Sequence, residues 1–75
     1  MITVKYFASL QDTVGKAEDK LDASANLSIE AIWQTLHNTP LPKGMLVSLN
    51  QEYAALTDPV KDGDEVAYFP PVTGG

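Results

Sequence analysis

The residues with the clearest chemical potential stand at the end of the chain, where Phe69-Pro70-Pro71-Val72-Thr73 leads into Gly74 and Gly75. A carboxylate is a poor acyl donor because its leaving group would be oxide, so a terminal carboxyl does acyl chemistry only after activation. Gly74 and Gly75 carry no side chain, so the carboxylate behind them can enter a channel too narrow for any other residue. The rings of Pro70 and Pro71 fix their φ angles and remove two backbone donors. A strand reaching them cannot continue in a sheet interior and is expected to leave the domain as a tail. Five residues from Pro71 to Gly75 span roughly 16 Å at about 3.3 Å per extended residue.

Few other residues offer chemistry. The chain has no cysteine, which excludes disulfides, thiolate metal sites and a thiol nucleophile. The single histidine, His37, has no carboxylate or second histidine at ligand spacing, so a surface or capping role is expected. Asp58, Asp62, Asp64 and Glu65 invite a calcium reading, but their spacing departs from the D-x-D-x-D-G loop and fits a solvated turn. No site with a histidine, a lysine or paired carboxylates emerges as a source of acid/base catalysis. Ten acidic residues against five lysines, with no arginine, give a net charge of −5. That balance repels phosphate backbones and excludes nucleic acid as the expected partner. It favours encounter with a basic protein surface. No apolar run approaches the roughly 20 residues of a membrane span, and no signal-peptide pattern opens the chain, so the expected location is the cytoplasm.

The elements that must position the tail are those of one small domain, 75 residues long, with 44% hydrophobic and 20% charged residues. Ile2, Val4 and Tyr6 alternate with Thr3, Lys5 and Phe7, the period-2 pattern of a half-buried strand. Ser9 to Gly15 reads as a short irregular or single-turn helical segment, with Leu10 and Val14 packing inwards. Residues 17–23 predict a charged edge strand with Leu21 inwards. Ser28 is an N-cap for a helix over 29–38, whose Ile29, Ile32, Trp33 and Leu36 form one apolar stripe. Leu27 and Ile32 are placed to staple its start, and Pro40 and Pro42 to stop it.

Residues 44–50 predict a third strand, Asn50-Gln51-Glu52 a tight turn, and residues 53–55 a short strand. Leu56 to Asp64 reads as turn chemistry throughout. In the last strand Val66 and Tyr68 face the core, while Glu65, Ala67 and Phe69 face away. One helix covers one sheet, so the other sheet face stays open. The first and last strands, if adjacent, set Phe7 beside Phe69 on that open face as an apolar patch of the kind that marks a protein interface.

The stretch Asp62-Gly63-Asp64-Glu65-Val66-Ala67-Tyr68-Phe69-Pro70-Pro71-Val72-Thr73-Gly74-Gly75, with the opening Met1-Ile2-Thr3-Val4-Lys5-Tyr6-Phe7-Ala8, resembles the small subunits of molybdopterin synthase. These are the MoaD-type sulfur carriers of the ThiS/MoaD-like ubiquitin-fold family. The resemblance implies an α+β fold, a ubiquitin-like β-grasp, with a mixed sheet of about five strands and one main helix on one face. It divides the chain into a β-grasp domain over 1–70 and a projecting tail over 71–75. It implies that Gly75 carries first an acyl-adenylate and then a thiocarboxylate, with Gly74 as its slim companion. Phe7, Tyr53, Phe69, Pro70, Pro71, Val72 and Thr73 match the partner interface.

The implied partners are a MoaE-type large catalytic subunit, in a heterotetramer, and an E1-like adenylating enzyme of the MoeB type. The implied function is a non-catalytic carrier that gives sulfur to cyclic pyranopterin monophosphate, in two rounds, to form the molybdopterin dithiolene. No cofactor is bound permanently; the activating enzyme consumes ATP. Adenylation would provide the leaving group that a carboxylate lacks, and a thiocarboxylate sulfur is a soft nucleophile that needs no cysteine here. Three alternatives remain: a carrier for thiamine thiazole synthesis or another pathway, a ubiquitin-like modifier joined to lysines through Gly75, and an interaction domain whose glycines are incidental.

Overall fold

The computed structural model describes residues 1–22 and 27–71. Strand β1 (Ile2–Tyr6) lies parallel to β7 (Glu65–Phe69) at the centre of a five-stranded sheet. Around this pair run β2 (Glu18–Leu21), β4 (Leu46–Leu49) and β5 (Glu52–Tyr53), in the order β2-β1-β7-β4-β5. The two central strands carry the strongest alternation in the sequence. Ile2, Val4, Tyr6, Val66 and Tyr68 are all fully buried. Each burial of this kind contributes about 1.5–3 kcal/mol against an exposed reference.

Helix α2 (Ile29–His37) covers their inner face with Ile29, Ile32 and Trp33. The Ser28 hydroxyl caps it, accepting from the Ala31 amide at 3.1 Å. The Tyr68 hydroxyl donates to the Ile29 carbonyl at 2.5 Å, which ties the helix to the last strand. The helix ends at His37, within one residue of the expected bound. Asn38 adopts a left-handed conformation and donates its amide to the Gln34 carbonyl, so a C-cap stops the helix before the prolines do.

One feature departs from the sequence reading. The stretch from Leu56 to Asp64 is not turn throughout: β6 (Pro59–Val60) pairs antiparallel with β3 (Leu27–Ser28) and forms a second, two-stranded sheet beside the helix start. Leu27 is therefore a strand residue packed against the core, with Val60 buried opposite it. The segment after β1 takes the helical form among the two expected, α1 (Ser9–Val14), and buries Leu10 as expected.

His37 is also not a plain surface residue. It is half-buried, with its ring 4.3 Å from that of Trp33, and its Nε2 lies 2.8 Å from the Tyr6 hydroxyl. That hydroxyl donates its one proton to Asp19 at 3.0 Å, so the His37 Nε2–H is the donor to Tyr6. Burial, with a smaller push from Lys16 and against the pull of Asp19, holds the His37 pKa below its ordinary 6.5. The unfolded chain therefore takes up this proton first as pH falls. Stability is expected to be level above about pH 6.5 and to decline below it, through the window down to the folded pKa. Urea unfolding from pH 7.5 to 5 should show this decline in the native protein, and His37→Gln should flatten it.

Candidate functional site

The open face of the sheet carries the site. Because β1 and β7 run parallel with Tyr6 opposite Tyr68, the residue that follows each, Phe7 and Phe69, comes level on the same face. Their rings meet edge to face, with centroids 6.5 Å apart. Strand β4 carries the row onwards: Ser48 pairs with Ala67 on one side and with Tyr53 of β5 on the other. This brings the Tyr53 ring to 6.0 Å from Phe69. The three aromatics predicted for the interface thus form one continuous patch. Tyr53 is 81% exposed and Phe7 43% exposed, far more than aromatic side chains of a core. Ala67, on the same face between the larger neighbours, is only 3% exposed.

A shallow cavity of about 250 Å³ lies between Ser48, Gln51, Tyr53 and Phe69. At the other side of β7 an ion pair joins Lys5 to Glu65 at 3.7 Å. The hairpin that presents Tyr53 turns through Asn50 and Gln51, both with positive φ, as a two-residue turn of this kind requires. The Asn50 side chain accepts from the Glu65 amide at 2.9 Å and donates to Asp64 at 3.0 Å, locking the hairpin to the loop before β7. The bond from the Asn50 side chain, with a second from the Lys61 amide, holds the Asp64 carboxyl below its ordinary pKa. The acidic cluster thus organises a turn, in agreement with the solvated reading. Among the described residues no group of three or more histidine, aspartate or glutamate side chains is placed to hold a metal ion.

The patch leads straight to the tail. After Phe69, Pro70 is half-buried and Pro71 exposed. Pro71 sits against Gly44, where a Cβ would stand 3.8 Å from the proline Cγ. Gly44 has a φ of +80°, a conformation other residues resist, so the turn before β4 is a glycine position beneath Pro71. Val72, Thr73, Gly74 and Gly75 lie outside the described residues. Gly44 was not legible as a neighbour of the tail, since nothing local to residues 40–45 refers to Pro71. No described helix is long and apolar enough to cross a membrane.

An α+β domain with one helix across a mixed sheet headed by a parallel first–last strand pair is a ubiquitin-like β-grasp, and it superposes on SAMP1 of Haloferax volcanii. That match has a TM-score of 0.79 and 28% identity, and covers 99% of this chain and 98% of the other. The chain belongs to the ThiS family, whose model matches residues 4–75. It is similar to the molybdopterin synthase sulfur carrier subunit of Escherichia coli K12, at 37% identity over 83 aligned residues covering the whole of both chains. The protein of the same name from Haemophilus influenzae is also 37% identical, over 82 residues and the whole of both chains.

Proposed function

We propose that this protein is the sulfur carrier subunit of a molybdopterin synthase, a non-catalytic partner that delivers sulfur on its C-terminal carboxyl group. The observation that carries this reading is the continuity of the Phe7–Phe69–Tyr53 patch with the strand that runs into Pro70 and Pro71. A partner that covers the patch also meets the end of that strand at Pro70 and Pro71, the root of the tail. The full-length identity to named sulfur carrier subunits supports the choice of pathway.

In this reading an E1-like enzyme of the MoeB type binds the domain in the cytoplasm and presents ATP to the Gly75 carboxylate. The carboxylate attacks the α-phosphorus, pyrophosphate leaves, and the acyl-adenylate forms. A sulfur donor then displaces AMP and leaves a thiocarboxylate. The charged carrier docks on a MoaE-type large subunit, in a heterotetramer, through Phe7, Tyr53, Phe69 and the residues from Pro70 to Thr73. Gly74 and Gly75 enter the large subunit's active site. There the thiocarboxylate sulfur bonds to cyclic pyranopterin monophosphate, water cleaves the acyl carbon–sulfur bond, and the carrier returns with its carboxylate restored; two such rounds complete the dithiolene. Acid/base groups come from the large subunit. The carrier contributes position, with a five-residue tail whose full extension would reach roughly 16 Å and a docking patch that removes the entropy of search.

The test is reconstitution: thiocarboxylated protein, the large subunit and cyclic pyranopterin monophosphate, with molybdopterin as the product. Formation of molybdopterin at two carriers per product supports the reading. Failure there, with transfer to a thiazole-forming enzyme instead, reassigns the pathway. A second reading has its own support, because SAMP1 of Haloferax volcanii is a small archaeal modifier protein of the same fold. A modifier would appear as amide-linked conjugates on lysines in cell extracts.

A further inference from the structure

Seven described residues have positive φ, and five of them are glycine or asparagine, the residues that tolerate it: Gly15, Gly44, Gly63, Asn38 and Asn50. The two exceptions are Ala8 and Gln51. Ala8 has φ 55° and ψ −139°. With the Leu10 amide donating to the Phe7 carbonyl at 3.2 Å, it occupies the first central position of a type II′ turn, where glycine is the fitting residue. Gln51, at φ 71°, occupies the second central position of the β4–β5 turn, again a glycine position. Neither can relax easily. Bonds from the Phe7 amide to Tyr68, from the Gln11 amide to Ala8, and from the Gln11 side chain to Tyr6 clamp the first turn. Asn50 clamps the second to Glu65 and Asp64.

Both strained residues border the aromatic patch, and both are exposed. Ala8 follows Phe7, and Gln51 shares a cavity with Tyr53 and Phe69. In the free domain their side chains bring strain and bury nothing in return. Strain of this kind persists where the side chain has a use, and such residues cluster at functional sites. We propose that Ala8 and Gln51 are specificity-determining contacts at the two ends of the docking surface, which rests on the large-subunit reading above. The Ala8 methyl group is covered by apolar surface of the large subunit beside Phe7. The Gln51 amide hydrogen-bonds to a polar group of the large subunit beside Tyr53.

The experiment compares the native domain with Ala8→Gly, Gln51→Gly and the double variant, in thermal unfolding and in calorimetric binding to the large subunit. Each glycine is expected to raise the Tm of the free domain by about 4–8 °C through relief of strain. Each is expected to raise the Kd by about three- to ten-fold, through loss of one buried methyl or one hydrogen bond. A purely structural role would move stability and affinity together, whereas this account moves them in opposite directions. Raised Tm with unchanged Kd overturns the contact role, and unchanged Tm overturns the strain on which it rests. A native domain that does not bind the large subunit at all overturns the partner reading itself, and this inference with it.

Discussion

Removing Gly75 is expected to lower sulfur transfer by at least two orders of magnitude while leaving large-subunit binding within a few-fold of native. The shortened chain still ends in a glycine carboxylate, so the loss would come from geometry. One residue is about 3.3 Å of extended chain, and a misplacement of about 1 Å at a reacting centre can cost about 100-fold. Pro70 and Pro71 make compensation difficult, since their fixed φ angles leave little slack at the root of the tail. The docking patch is untouched, because Phe7, Tyr53 and Phe69 are held by the sheet and not by the tail. The assay is single-turnover transfer from enzymatically charged protein, with binding measured in parallel. Native rates of both charging and transfer without Gly75 would contradict the account.

Phe69→Asp is expected to raise the Kd for the large subunit by roughly 30-fold or more. Phe69 is the middle ring of the three, in contact with Phe7 on one side and Tyr53 on the other. Central aromatic anchors of an interface typically account for about 2 kcal/mol or more on truncation, and each 1.4 kcal/mol is about tenfold in Kd. A buried carboxylate in their place adds a desolvation penalty. The change should appear mostly in the dissociation rate. The fold should survive, since Phe69 lies on the open face while Val66 and Tyr68 carry the core of the same strand. Circular dichroism of the free variant checks that point. Phe7→Asp should act in the same direction but less strongly, as a ring at the patch edge.

The sequence was most informative where burial imposes a period. Ile2, Val4 and Tyr6, Val66 and Tyr68, and the Ile29, Ile32, Trp33 stripe sit where their spacing put them, because each alternation or helical repeat has a single core to face. The Phe7–Phe69 contact was legible for the same reason: once two adjacent strands share a core face, the parity of the next residue follows. Tyr53 was placed only by resemblance, since a two-residue strand has no period of its own. The β3–β6 pair escaped for that reason too, with Asp58-Pro59 and Asp62-Gly63 giving local turn signals around two residues that pair at long range. His37 is held by Tyr6, 31 positions away, whose hydroxyl in turn donates to Asp19, and no local spacing encodes either pairing. Ala8 left no mark because alanine is not a turn residue; the strain is visible only in its backbone angles.

The central claim is that Gly75 becomes a thiocarboxylate, and intact mass measures it most directly. The purified protein would be incubated with ATP, a sulfur source and the adenylating enzyme from the same cell, then weighed whole and after proteolysis. The account predicts the exchange of one oxygen for one sulfur, located at Gly75 and absent without ATP. An unchanged mass, alongside an adenylating enzyme shown to be active on another carrier, would contradict it.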